Sequence, residues 1–229
     1  MIKKIISVIL AVCFASSMVL ATAASSNIPY NTNSSDTIVK EFVIGMYSSD
    51  YKNYRVLDQE GREITKQFLS EIDSFVKNDD WEKINEYCTE NSLLLVQKIY
   101  SYVQKGKALE QRKTEVERCV GTVKSINAPD GKIYEKKVIY DLWGTITYNP
   151  NTGAISDADV DMRNIILESG CSHYDSYADA IIRANKYSAQ IIGELTISWN
   201  TMIFDGYPIG DEVIFKPLKH SFIINSDPS

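Results

Sequence analysis

The hydrophobic period of this chain changes at Gly106: before it, apolar residues recur about every 3.6 positions, and after it they alternate. Ile38, Phe42 and Met46 lie four apart with Val39 and Val43 beside them, and Asp36 stands as an N-cap. The spacing of Phe68, Ile72, Phe75 and Val76 predicts a second helix. Asp79, three residues ahead of Glu82, opens a third in the manner of a capping box. Leu93, Val96, Tyr100 and Val103 share a helical face, predicting another helix over 92–104 with Gly106 as its C-cap. Asp58-Gln59-Glu60-Gly61 is a turn between two short extended pieces.

Beyond Gly106, residues 116–126, 133–148 and 154–167 read as strands. They are joined by turns at Ala128-Pro129-Asp130-Gly131 and Asn149-Pro150-Asn151-Thr152-Gly153, where proline presets φ and glycine takes the positive-φ position. Residues 175–187 read as a short helix, with Tyr177, Ile181 and Ala184 aligned. Strands are expected again at 189–204 and 213–224, separated by a turn beginning at Asp205-Gly206. Helices followed by strands define an α+β domain: N-terminal helices packed on one face of a curved antiparallel sheet of about five strands, with residues 36–225 as one domain.

The chain opens with the layout of a cleavable export signal: Lys3-Lys4, an uncharged apolar run from Ile5 to Leu20, and a small-residue Ala21-Thr22-Ala23 site. Residues 1–23 are read as a signal peptide and 24–35 as a flexible leader, so the working protein is expected to be secreted and soluble. The signal holds two lysines and no acid. The remaining 206 residues therefore carry 22 basic and 30 acidic side chains, a net charge of −8. That balance argues against nucleic acid and against anionic membranes as partners. Cys88, Cys119 and Cys171 remain after cleavage, an odd number that excludes a fully paired disulfide framework.

Helix, short hairpin, more helix and then a long antiparallel sheet resembles the layout of NTF2-like (cystatin-like) domains, beginning from Thr37-Ile38-Val39-Lys40-Glu41-Phe42. The resemblance implies a pocket between sheet and helices. It carries over no catalytic residue, since no site motif of that family is matched.

Candidate chemistry is sparse. Asp157, Asp159 and Asp161 alternate on one face of a strand, about 7 Å apart, and could offer oxygen ligands to Ca²⁺. Glu168 stands at the twelfth position of such a loop, but Met162 occupies the place of the required glycine. The plain reading is the solvated face of a strand, with Ala158, Val160 and Met162 turned inward. Cys171, His173 and Asp175 gather a thiol, an imidazole and a carboxylate at a strand end. His220, the other histidine, has no acidic partner in view and reads as a surface residue.

Tyr140 and Tyr148 share one strand face, and Trp143 points to the other side. With Trp199, Tyr140 and Tyr148 are candidate ligand-binding residues or core. Gly-rich phosphate loops, G-x-S-x-G, H-E-x-x-H and C-x-x-C are all absent. A secreted domain that binds a small molecule, glycan or protein without catalysis is the leading expectation. The alternative is a hydrolase of polysaccharide or peptide acting through carboxylates or the Cys171/His173 region.

Overall fold

Antiparallel pairing dominates the computed structural model, which describes residues 35–48, 51–106, 109–126, 128–168, 170–200, 203–204, 207–208 and 211–227. The expected export signal, nearly all of the leader and the Asp205-Gly206 turn lie outside the described residues. Helix α1 (Ser35–Met46) is followed by a 3₁₀ turn (Tyr51–Asn53), β1 (Tyr54–Leu57), α2 (Thr65–Lys77) and α3 (Trp81–Glu90). Long strands follow: β2 (Leu94–Lys105), β3 (Gln111–Lys124), β4 (Glu135–Tyr148), β5 (Ile155–Leu167), β6 (Cys171–Ile182) and β7 (Ser188–Asn200). The chain ends with β8 (Ile203–Phe204), β9 (Tyr207–Pro208), β10 (Glu212–Ile214) and β11 (Leu218–Asn225).

Strands β1 to β5 form a five-stranded antiparallel sheet in sequence order. A second sheet has β7 at its centre, paired to β6 on one side and to β10 and β11 on the other. The architecture is α+β with an antiparallel five-stranded sheet, as expected, but of the strands expected at 189–204 and 213–224, β7, β10 and β11 belong to the second sheet, and β8 pairs with β9 in a small two-stranded sheet. Pro217 lies in the gap between β10 and β11, consistent with a residue that cannot donate to a ladder. The two glycine turns are built as read, with Gly131 at φ 72° and Gly153 at φ 73°.

Two expected helices are strands. Of the helix expected over 92–104, residues 94–104 fall in β2, because the Leu94–Val96 run is buried on both faces of the sheet. A bulge between Lys98 and Tyr100 then shifts the parity, so a period of two fails across the window. Residues 175–182 belong to β6, an edge strand exposed on both sides from Asp175 to Ala178. Exposure removes the alternation, and a second bulge between His173 and Asp175 displaces the register. The N-cap of α3 is Asp80, whose side chain accepts from the Lys83 N–H at 3.3 Å; Asp79 instead takes φ 55°.

One buried cluster joins the sheets. It contains Cys119, Val138, Tyr140, Leu142, Ile146 and Tyr148 of the first, and Ala189, Ile191, Leu195, Ile197, Phe222 and Ile224 of the second. Each large aliphatic side chain so buried contributes about 1.5–3 kcal/mol. The sheets interlock through glycine. A Cβ on Gly144 would stand 2.5 Å from Ile191 Cγ1 and 2.8 Å from Ile224 Cδ1, and one on Gly193 would meet Leu142 Cδ1 at 2.9 Å. A separate cluster gathers Val39, Phe42 and Val43 of α1, Phe68 and Ile72 of α2, and Ile84 and Cys88 of α3, with Val56, Leu93 and Leu95.

Candidate functional site

The five-stranded sheet has an inner face, turned to the second sheet, and an outer face. Register sorts the candidate residues of β4 and β5 between them. Tyr140 and Tyr148 lie on the inner face and are 0% and 1% exposed. The Tyr148 hydroxyl donates to Gln111 Oε1 at 2.8 Å. The Tyr140 hydroxyl is fully buried beside the Cys119 thiol, and burial first and that thiol second hold its pKa well above the ordinary value. Trp199 is half-buried on the second sheet, 4.9 Å from the Tyr134 ring with the Lys136 ammonium 4.8 Å over it. The three do not line one pocket.

On the outer face, the cross-strand rows bring unexpected neighbours together. Tyr100, Val116, Trp143 and Asp161 stand side by side, and so do Tyr102, Thr114, Thr145 and Asp159 in the next row. Gln104, Arg112, Thr147 and Asp157 form a third. The Tyr100 ring lies 6.4 Å from Trp143 and 6.1 Å from Tyr102, with interplanar angles of 34° and 31°. Tyr100 is 45% and Tyr102 52% exposed, while Val116 beneath them is fully buried. The Arg163 guanidinium sits 4.6 Å over Trp143 and pairs with Asp161 at 2.6 Å.

One row further along, Arg118 clasps buried Asp141 with two hydrogen bonds of 2.8 and 3.1 Å, and Asn164 donates to the same carboxylate at 2.7 Å. A buried carboxylate needs such partners, and here three donors fix the floor of the face. Asp157, Asp159 and Asp161 are exposed along its β5 edge, with Ala158, Val160 and Met162 turned away, as parity predicts. Among the described residues, no group of three or more histidine, cysteine or acidic side chains is placed to hold a metal ion.

The inner face carries a polar seam that sequence reasoning missed. Alternate residues of β3, Lys113, Glu115, Glu117 and Cys119, all point into the sandwich and are buried. Glu117 pairs with Arg55 and accepts from His220 Nε2 at 2.7 Å. The other ring nitrogen, Nδ1, lies 3.1 Å from Cys119 Sγ. A neutral imidazole satisfies both contacts, donating to Glu117 and accepting the thiol proton. Burial holds the His220 pKa below its ordinary value, partly opposed by Glu117. Burial pushes Glu117 up, but the His220 hydrogen bond and the charge and hydrogen bond of Arg55 outweigh it, and the carboxyl lies below the usual range. Burial drives the Cys119 thiol well above its ordinary value.

His220 is therefore a buried residue with an acidic partner, not a surface histidine. Its partner stands 103 positions earlier on the other sheet, so only the packing of the two sheets brings them together. Further along the seam, Glu115 pairs with Lys98 and with Lys113 at 3.4 Å, and Lys113 reaches Asp227 at 2.7 Å and the Asn225 carbonyl at 3.1 Å. Cys171 is half-buried with its thiol pushed up by burial, and the His173 side chain lies outside the described residues. Compared with protein-family models, with curated proteins and with solved structures, the chain matches none.

Proposed function

We propose that this is an exported, non-enzymatic binding protein whose ligand is a glycan chain laid across the outer face of the five-stranded sheet. The observation that carries this reading is the exposed ring pair of Tyr102 and Tyr100, set beside the half-buried Trp143 under Arg163. Sugar rings present C–H faces that stack on aromatic rings, and exposed aromatics with nearby polar groups are a recurrent recognition surface. Thr114, Thr145, Arg112 and the Asp157–Asp161 edge supply donors and acceptors for hydroxyls in the same rows. In this reading the helices cover the other part of that face, over Leu93 and Leu95, and leave the aromatic part open. The NTF2-like resemblance implied a pocket between sheet and helices; the open sheet face has the better chemistry here.

The Cys119–His220–Glu117 series has the bonding order of a nucleophile, base and carboxylate, but it does not favour a hydrolase. Its thiol is fully buried and strongly disfavours the thiolate that would attack a substrate.

The test is binding to a panel of soluble polysaccharides by affinity electrophoresis and calorimetry. Tyr100→Ala combined with Tyr102→Ala is expected to weaken binding at least tenfold, about 1.4 kcal/mol. Tyr177→Ala, on exposed β6, should leave it unchanged. Undiminished binding by the double variant, or no binding to any polysaccharide, overturns the proposal.

A further inference from the structure

A cleft of about 180 Å³ opens away from the aromatic face, between four segments of the chain. Gln59 and Glu60 come from the turn after β1, Ser92 from the α3–β2 connection, Thr122 to Lys124 from the end of β3, Lys216 and Pro217 from the β10–β11 connection, and Leu218 and Lys219 from the start of β11. That size is below the ~300–1,000 Å³ of pockets for drug-sized molecules, so the cleft admits a small group.

Its chemistry runs against the charge of the chain. Three of its lining residues are lysines, in a protein with more acids than bases. The one acid among them, Glu60, is held by Arg62 at 3.0 Å. Lys124 is shared between the Glu90 carbonyl at 2.8 Å and Glu135 at 3.3 Å, and Lys219 approaches Glu194 only to 3.6 Å. Lys216 reaches the neutral amide oxygen of Gln59 at 3.3 Å, and among the described residues its ammonium forms no ion pair.

Ser92 is the second, independent sign. It is 4% exposed and takes φ 49°, and its hydroxyl has no hydrogen-bond partner among the described residues. A buried hydroxyl left unpaired costs about 1–3 kcal/mol, so an unpaired one lining a cleft calls for a ligand acceptor.

We infer that this cleft is an oxyanion site that takes the phosphate group of a small ligand, with Lys216, Lys124 and Lys219 meeting its charge and Ser92 donating to one oxygen. The site is separate from the glycan face and does not depend on it. A phosphate dianion gains from converging ammonium groups, and a hydroxyl donor fixes its orientation.

The test is the thermal midpoint of the signal-free chain in inorganic phosphate against sodium chloride of equal ionic strength, repeated with glycerol 3-phosphate. Phosphate is expected to raise the midpoint saturably, by roughly 2–5 °C at high occupancy. A larger saturating rise with glycerol 3-phosphate identifies an esterified phosphate as the preferred source, and an equal rise identifies the free anion. Ser92→Ala and Lys216→Gln should each abolish the rise. Ser92→Ala removes an unpaired hydroxyl and should not lower the midpoint without ligand, so the loss of response is readable in a folded protein. A rise equalled by chloride, or a wild-type rise in either variant, overturns the inference.

Discussion

Replacing His220 with leucine separates the buried relay from every other acid-sensitive group. At pH 7.5 the substitution removes a hydrogen bond to the ionised Glu117, worth about 1.5–3 kcal/mol, and strips the Cys119 thiol of its acceptor, worth about 1 kcal/mol. Leucine fills much of the ring's volume and Arg55 stays on Glu117, so the expected loss is about 3 kcal/mol. The pH dependence carries the sharper test. The folded state keeps His220 neutral, with a pKa below the ordinary 6.5. Unfolding frees the ring to take up a proton below that pH. The stability tied to this group is therefore complete above about pH 6.5 and is lost as pH falls toward the folded value. Between pH 7.5 and 5.5 the wild type should lose stability that the variant keeps, with a ceiling of about 1.4 kcal/mol per pH unit. Glu117 titrates below this window, and all other groups are common to both proteins. Urea unfolding followed by tryptophan fluorescence at the two pH values gives the double difference. A wild-type-to-variant gap that is the same at both pH values would refute the neutral, buried assignment of His220.

Two further outcomes follow from the same interior. Tyr140→Phe deletes a buried hydroxyl that meets the weakly hydrogen-bonding Cys119 thiol, so stability in urea should change by no more than about 1 kcal/mol; a larger loss would mean the hydroxyl has a stronger partner. Thiol titration of a chain spanning residues 24–229, without reductant, should find Cys171 reactive in the folded state and Cys88 and Cys119 protected, with the Cys88 pKa pushed up to about 12 by burial. All three should react in guanidinium, and fewer than three would show that a disulfide forms.

The strands from Gln111 to Leu167 were legible because each has one face in the core and a glycine turn at its end. The same alternation placed Asp157, Asp159 and Asp161 on the exposed side and sent Trp143 away from Tyr140. It failed where the ladder is irregular. The bulge at Lys98/Tyr100 put Leu93, Val96, Tyr100 and Val103 at helical spacing, and this concealed Tyr100 and Tyr102 as neighbours of Trp143. The small and exposed residues of β6 offered no alternation to read. Asp205-Gly206 lies outside the described residues, so the turn expected there has no structural counterpart to compare. The Glu117–His220 contact and the lysines of the cleft come from segments far apart in sequence, and no local pattern encodes such convergence.

The seam under β11 also bears on how this chain reaches its native state. His220 meets Cys119 and Glu117 across 101 and 103 positions, and Lys113 meets Asp227 across 114. Closing loops of that length comes late, and proteins dominated by such distant pairings fold in milliseconds to seconds. Until β11 docks, the charges of this row are paired within the first sheet, Glu117 with Arg55 and Glu115 with Lys98 and Lys113, while the Cys119 thiol still lacks its His220 acceptor. The ladder of β11 with β7 sets which of its residues face the first sheet, so the native register of that ladder is what delivers His220 to Glu117 and Cys119.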